Sequence, residues 1–379
     1  MMMRAAYAIF LDSYRALNAR KLFWVSILIS FMLVLAYASI GFQENGMSIL
    51  FGVWSIEHDL ITDTSPLRIL VYRSIFTGMI VGLWLTWGAT ILALISTATI
   101  YPDFMAKGAV DMLLSKPVSR TALFLLQYLF SLLFVVVLVT IVTFGAFLCM
   151  GWRIGQWNWE IFLAVPIVTL FYSYLYCVCV LIGTMTRSAI AALLLTLLFW
   201  VLLFTLNMAE GILNSQRIEM GQQVVYAEQD VEPITARLDE LEDDDSDAAI
   251  EESIRLGVTL VEQQRVVEDL RGWRDGFERW HRRLRWVQAP LPKTSQTVDL
   301  LDRWLTRTDD MSLNDLMMGR VVLTESGEFE VREDRRRAQE MELIESYQEI
   351  SWWWIIGSSL GFNVAVLGIA LGIFLRRDF

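Results

Sequence analysis

Residues 107–124, KGAVDMLLSKPVSRTALF, lie between two long apolar runs. Ile75–Ile100 before them and Leu123–Met150 after them contain no Asp, Glu, Lys, Arg or His. Each run exceeds the roughly 20 residues needed to cross the hydrocarbon core of a bilayer. The quoted stretch is therefore a short polar loop between two membrane spans. Leu22–Ile40, Ile161–Met185, Ile190–Leu206 and Trp352–Leu375 are also within the length range of a span, about 17 residues or more, and all are free of those five residue types. A composition of 55% hydrophobic residues and a mean hydropathy of +0.47 agree with that reading. The expected fold is an all-α polytopic membrane protein. It has six transmembrane helices, an N-terminal interfacial helix, and a large extracytoplasmic helical-hairpin insert carrying a small β-hairpin.

The loops orient the chain. Segments 1–21, 101–122, 185–188 and 376–379 carry 10 Lys/Arg and 4 Asp/Glu, whereas 41–74, 151–160 and 207–351 carry 21 and 38. The first set is short and basic, which places it in the cytoplasm with both termini. The long 207–351 segment holds 18 basic and 33 acidic residues, so it accounts for the overall charge of −11. That acidity gives no support to nucleic-acid binding and disfavours adhesion of the segment to anionic lipid. Contact with lipid is expected of the spans themselves. Trp152, Trp157, Trp159 and Trp352-Trp353-Trp354 fall at the expected outer boundaries and read as interfacial anchors. The first span is expected to act as its own signal.

Four regions follow. Residues 1–21 place Tyr7, Phe10, Leu11, Tyr14 and Leu17 at helical spacing, as in a cytoplasmic interfacial helix. Residues 22–206 hold the first five spans and the 101–122 loop. Residues 207–351 form the extracytoplasmic domain, and 352–379 the sixth span and a short tail. Within the insert, Leu213, Met220, Val224, Ala227, Val231, Ile234, Leu238 and Leu241 follow 3/4 spacing, and so do Leu270, Trp273, Phe277, Trp280, Leu284 and Val287. DDDSD (243–247) separates the two runs. This predicts an antiparallel coiled-coil hairpin over 208–287, with the second series facing the first arm. Pro233 should kink the first arm or begin a new helix there. Residues 296–307 predict an amphipathic helix, 320–331 a β-hairpin turning at Ser326-Gly327, and 333–349 a charged helix.

The chain lacks GxxxxGK[ST] and HExxH, and GSSLG at 357–361, which fits GxSxG, sits inside an apolar run rather than on a strand-to-helix turn. No catalytic site, metal site or cofactor site is expected in it. Cys149, Cys177 and Cys179 all lie in spans, so no disulfide holds the insert. His58 and His281 read as ordinary polar residues. With no buried charge to couple to an ion gradient, a transporter of this kind draws its energy from a separate ATPase that carries the ATP and Mg. The 101–122 loop is where such a subunit would grip. Pro102 suits a first helical turn. Phe104, Met105, Met112 and Leu113 give an apolar side, and Asp103, Lys107, Asp111 and Lys116 a polar rim. Pro117 biases Lys116 out of helical geometry and ends the element.

Two further patterns stand out. Gly82, Thr86, Thr90 and Thr97 share a stripe of span two; they line either a polar pathway or, more commonly, a packing face with hydroxyls bonded one turn back. In span six, Gly357, Gly361, Ala365, Gly368 and Gly372 form a small-residue seam for close helix contact, with a neighbour in the chain or in a second subunit.

The stretch GAVDMLLSKPVSRTALF resembles the cytoplasmic loop of bacterial ABC-2-type permeases, the type V exporter fold. Gly108, Leu113, Leu114, Pro117 and Arg120 carry the resemblance, joined by the six-span layout and the long fifth-to-sixth loop. Ala106, Ala109 and Leu126-Gln127 depart from the family's usual residues. The resemblance covers the membrane part, about two thirds of the chain. It implies the permease subunit of an export-type ABC transporter, paired with a second copy or a paralogue and with cytoplasmic ABC ATPases. It also implies that Asp103, Phe104, Lys107, Gly108, Asp111, Leu113, Leu114, Lys116, Pro117 and Arg120 serve ATPase coupling. The long insert suggests an alternative, an ATP-driven mechanical or assembly device whose external domain acts on an extracytoplasmic protein partner.

Overall fold

The structure is a computed structural model, and it describes residues 21–44, 46–57, 60–63, 65, 67–105, 119–242, 246–305, 313–324, 329–332, 335–348 and 350–376. Six helices are long and apolar enough to cross a membrane, so the chain is a predominantly helical multi-pass membrane protein. The expected interfacial helix over 1–21 lies outside the described residues except for Lys21.

In chain order, α1 (Lys21–Ala38) is the first span. A three-stranded antiparallel meander follows: β1 (Gly41–Gln43), β2 (Gly46–Ile49) and β3 (Trp54–Glu57). Nothing in the sequence of 41–74 marks these strands. Strands of three or four residues are too short to show an alternating pattern. The second span is built from α2 (Leu67–Ile75), wide π-helical turns over Phe76–Ala89, α3 (Thr90–Thr97) and α4 (Ile100–Phe104). It starts eight residues before the apolar run, because α2 buries Leu67, Leu70, Val71 and Tyr72 while carrying Arg68 and Arg73. A hydropathy boundary marks where the lipid-facing composition ends, not where the helix ends.

The third span is α5 (Arg120–Arg153) and the fourth α6 (Ala164–Thr186). The fifth span and the first hairpin arm are one helix, α7 (Ala189–Leu241), which continues through Pro233. No new helix begins there. Proline removes one backbone donor, and the arm's contacts with its partner outweigh that loss. α8 (Asp247–Gln288) is the second arm, with Ser246 as N-cap accepting from Ala249 N at 3.3 Å. Then come α9 (Thr294–Leu305), α10 (Leu313–Met317), the antiparallel pair β4 (Val321–Leu323) and β5 (Phe329–Val331), α11 (Arg335–Gln348) and the sixth span α12 (Trp352–Leu375). The turn at Ser326-Gly327 lies outside the described residues.

The chain divides into two compact units. The first holds residues 1–203, 291–332 and 352–379. Its centre is α6, which packs on α5, α12, α9 and the second span. Spans one and three approach closely at Gly145, where a methyl group would come within 2.8 Å of Val34 Cγ1. Residues 291–332, expected within the insert, fold with the spans. Leu316 and Val321 join Ile61, Leu67 and Val71 in one buried cluster. On α9, Leu300, Leu301 and Leu305 are buried, and Asp302 Oδ1 accepts from Thr77 Oγ1 at 3.1 Å.

The second unit holds residues 204–290 and 333–351. Its two arms are antiparallel: Arg271 pairs with Glu228 and Arg237 with Glu252, while Gln288 Nε2 donates to the Leu206 carbonyl at 2.9 Å. The first arm buries Val224, Ala227 and Leu241 as the spacing implies. The second arm differs from expectation. Trp273, Trp280 and Val287 are exposed, at 66%, 60% and 56%. Val267 and His281 are the buried positions there, with Leu270, Phe277 and Leu284 half-buried. The 3/4 spacing admitted two adjacent stripes, and the one holding His281 turned inward because Glu210 on the first arm supplies its partner.

Candidate functional site

The 101–122 loop is fixed at both roots. In α4, Tyr101 is buried and its hydroxyl donates to the Phe124 carbonyl at 2.9 Å, which joins the end of span two to the start of span three. The Tyr101 and Phe124 rings meet edge to face at 5.0 Å. Pro102 lies against Gly183 of α6, close enough that a methyl group there would touch the proline ring at 3.5 Å. At the other root, Ser119 is extended and its Oγ accepts from Ala122 N at 3.2 Å, which caps α5. Asp103 and Arg120 are exposed at these two roots, and Phe104 closes α4. Lys107, Gly108, Asp111, Leu113, Leu114, Lys116 and Pro117 lie outside the described residues.

Next to the roots sits a polar core that the sequence reading missed. Tyr128 of α5 donates to the Ser173 carbonyl at 3.1 Å and to Asn363 Oδ1 at 3.2 Å. Asn363 Nδ2 donates to Ser173 Oγ at 2.9 Å. Tyr172 and Thr97 hydroxyls meet at 2.7 Å. Tyr176 stacks on both Tyr172 and Tyr128, with ring centres 5.6 and 5.5 Å apart. These side chains are buried, and they come from spans two, three, four and six. Buried polar atoms in an apolar setting are costly unless bonded, so this network holds those four helices in one register. The signal was available: Tyr172, Tyr176, Tyr128 and Asn363 are polar groups inside otherwise apolar runs, and buried tyrosine hydroxyls ordinarily find partners.

In the threonine stripe the hydroxyls bond backbone carbonyls of their own span. Thr86 and Thr90 donate to the Val81 and Leu85 carbonyls at 2.8 and 3.0 Å, five residues back as the wide turns require. Thr97 bonds the Ala93 carbonyl as well as Tyr172. The small-residue seam of α12 points the other way. Ile355, Ser359, Val366, Ala370 and Phe374 are its buried face. A methyl group on Gly357, Gly361, Gly368 or Gly372 would meet nothing within 4 Å, and Ala365 is exposed between them. The seam's neighbour is therefore not another described helix of this chain.

In the second unit, His281 Nε2 lies 3.0 Å from Glu210 Oε1, and Tyr347 donates to Glu210 Oε2 at 3.4 Å. Asn214 Nδ2 donates to Ser346 Oγ at 3.0 Å. These contacts tie α11 to both arms. Among the described residues, no three His, Cys, Asp or Glu side chains gather as a metal site would require. Comparison with protein-family models, with characterised proteins and with solved structures returns no match.

Proposed function

We propose that the chain is the membrane subunit of an ATP-driven transporter of the ABC-2 type, export-directed, working with a separate ATPase that binds the 101–122 loop. In this reading the loop and both termini are cytoplasmic, and the second unit is extracytoplasmic on a bacterial inner membrane. ATP and Mg belong to the partner. One observation carries the reading furthest: both loop roots are fixed to helices that share the buried tyrosine core. A push on Leu113 and Leu114 would then reach spans two, three, four and six together. The outward seam of α12 supplies a face for a second copy or a paralogue.

The test is Leu113→Asp with Leu114→Asp in the full chain, expressed with its partner ATPase. Burying a leucine is worth about 1.5–3 kcal/mol, and a buried charge adds a desolvation cost. The double variant should insert normally yet lose ATPase co-purification or stimulated turnover. Unchanged association and turnover would reject the coupling role.

The unbroken α7 also favours the second reading, a device that passes motion from span five to an external protein without moving a substrate. Parallel measurement of ATPase activity and substrate flux in liposomes separates the two.

A further inference from the structure

The acidity of the 207–351 segment is unevenly placed. Residues 239–252, at the far end of the hairpin, hold nine acidic residues and no basic one. Residues 271–285, at the other end of α8, hold six arginines and two acids. Trp280 and Trp286 stand in the open at that end, 60% and 77% exposed. One face of α8 turns Phe277, His281 and Leu284 toward the first arm. The far side carries Arg279, Arg283 and Trp286, and Trp280 and Val287 lie on the exposed flank between the two faces. The Arg283 guanidinium lies 5.2 Å from the Trp280 ring centre. Arg274 and Arg282 pair with Asp275 and Glu278. Arg279, Arg283 and Arg285 form no ion pair among the described residues.

The level of this face along the chain is set by one bond. Gln288 donates to the carbonyl of Leu206, the residue that ends the apolar run of span five. Trp286 thus stands where the chain leaves the hydrocarbon, and Trp280 about 9 Å farther along at 1.5 Å per residue. Arginine side chains reach from there into the headgroup layer. We infer that the face formed by Arg279, Trp280, Arg283 and Trp286 docks on anionic phospholipid headgroups of the leaflet from which the hairpin rises. Indole rings favour the bilayer interface, and guanidinium forks match phosphate oxygens in pairs. The acid-rich far end is repelled by the same surface. Averaged over the whole segment, the charge argued against lipid; resolved by position, it favours lipid at one end. The inference requires only that span five crosses a membrane, so it stands or falls separately from the transport reading.

The test uses the full chain with Val287→Cys, labelled with a small fluorophore in nanodiscs; the native Cys149, Cys177 and Cys179 are buried. Nanodiscs contain phosphatidylcholine alone or with phosphatidylglycerol, each with a trace of headgroup nitroxide lipid. Quenching at position 287 should rise severalfold with phosphatidylglycerol and fall in Arg279→Gln with Arg283→Gln or at high salt. The same label at Val258→Cys should show neither change. Both arginines are exposed, and the melting temperature checks that the variant stays folded. Equal quenching in neutral and anionic discs, or no loss in the double variant, overturns the proposal and leaves simple proximity. Shielding of position 287 by a co-purifying protein, independent of lipid, overturns it in favour of a protein partner.

Discussion

Glu210, His281 and Tyr347 meet where little water reaches, and each comes from a different helix of the second unit. Removing His281 leaves a buried carboxylate with one weaker partner, and losses of that kind are expensive. His281→Ala should therefore destabilise the hairpin by roughly 3 kcal/mol, seen as faster proteolysis within 204–290 while the spans stay protected. Asp299 on α9 gives a pH test. Although part of the side chain reaches solvent, loss of hydration pushes its carboxyl from 3.8 up to about 6; the Asp302 charge adds to this and Arg303 opposes it. The folded value lies above the unfolded one, so the folded state takes the proton first. Its contribution to stability is complete below 3.8 and is lost as the pH rises through about 6. Asp299→Asn should raise the melting temperature at pH 7.5 and do so much less at pH 4, measured in detergent on the same preparations. An equal effect at both values would reject the assignment.

Helical elements show most clearly how spacing and packing differ. On α8 the tryptophans were expected inside, yet Val267 is buried and Trp280 is not. Val267→Ala should cost roughly 2 kcal/mol, from lost methyl groups and the cavity they leave. Trp280→Ala should shift hairpin stability by less than about 0.5 kcal/mol, as for an exposed site. Chemical denaturation followed by protease protection of the hairpin ranks the two, and a larger loss for Trp280→Ala would restore the original seam. Tyr172→Phe removes one hydroxyl from the core and should cost about 1 kcal/mol. If the core couples the loop to the spans, the same change should lower stimulated ATPase turnover more than it lowers stability.

The chain divides into two units, and α12 carries an outward seam. Gly361→Leu meets open space in the single chain, so its monomer should melt like the native protein. Yet close helix contact at a small-residue seam needs the backbone to approach. The substitution should therefore weaken self-association or pairing with a paralogue by tenfold or more, about 1.4 kcal/mol, read from cross-linking yield in membranes. An unchanged yield would move the subunit contact elsewhere. The division of the chain also bears on deletions. α11 is bonded to the first arm through Asn214–Ser346 and Gln222–Glu342. Removing 214–287 alone would strip α11 of those partners, whereas 291–332 packs with the spans and should be kept in any such deletion.

How much was legible follows from the physics of each signal. Hydropathy is a property of composition, so the six spans could be read from Leu22 to Leu375 without any fold. The first arm was legible too, because Val224, Ala227 and Leu241 form one apolar stripe with no rival. α8 carries apolar residues on two sides, and spacing cannot rank them; the Glu210 partner on another helix did. The tyrosine core showed only as polar groups inside apolar runs, and its pairing was illegible for a similar reason. Tyr128, Tyr172, Thr97 and Asn363 lie on four helices, and a hydrogen bond between residues as much as 235 positions apart has no local trace. The short strands β1–β3 pair locally but are too short to show an alternating pattern, whereas the return of 291–332 to the membrane unit depends on partners distant in the chain. Local pattern decides which face of a segment is apolar, and packing decides which apolar or polar face finds its match.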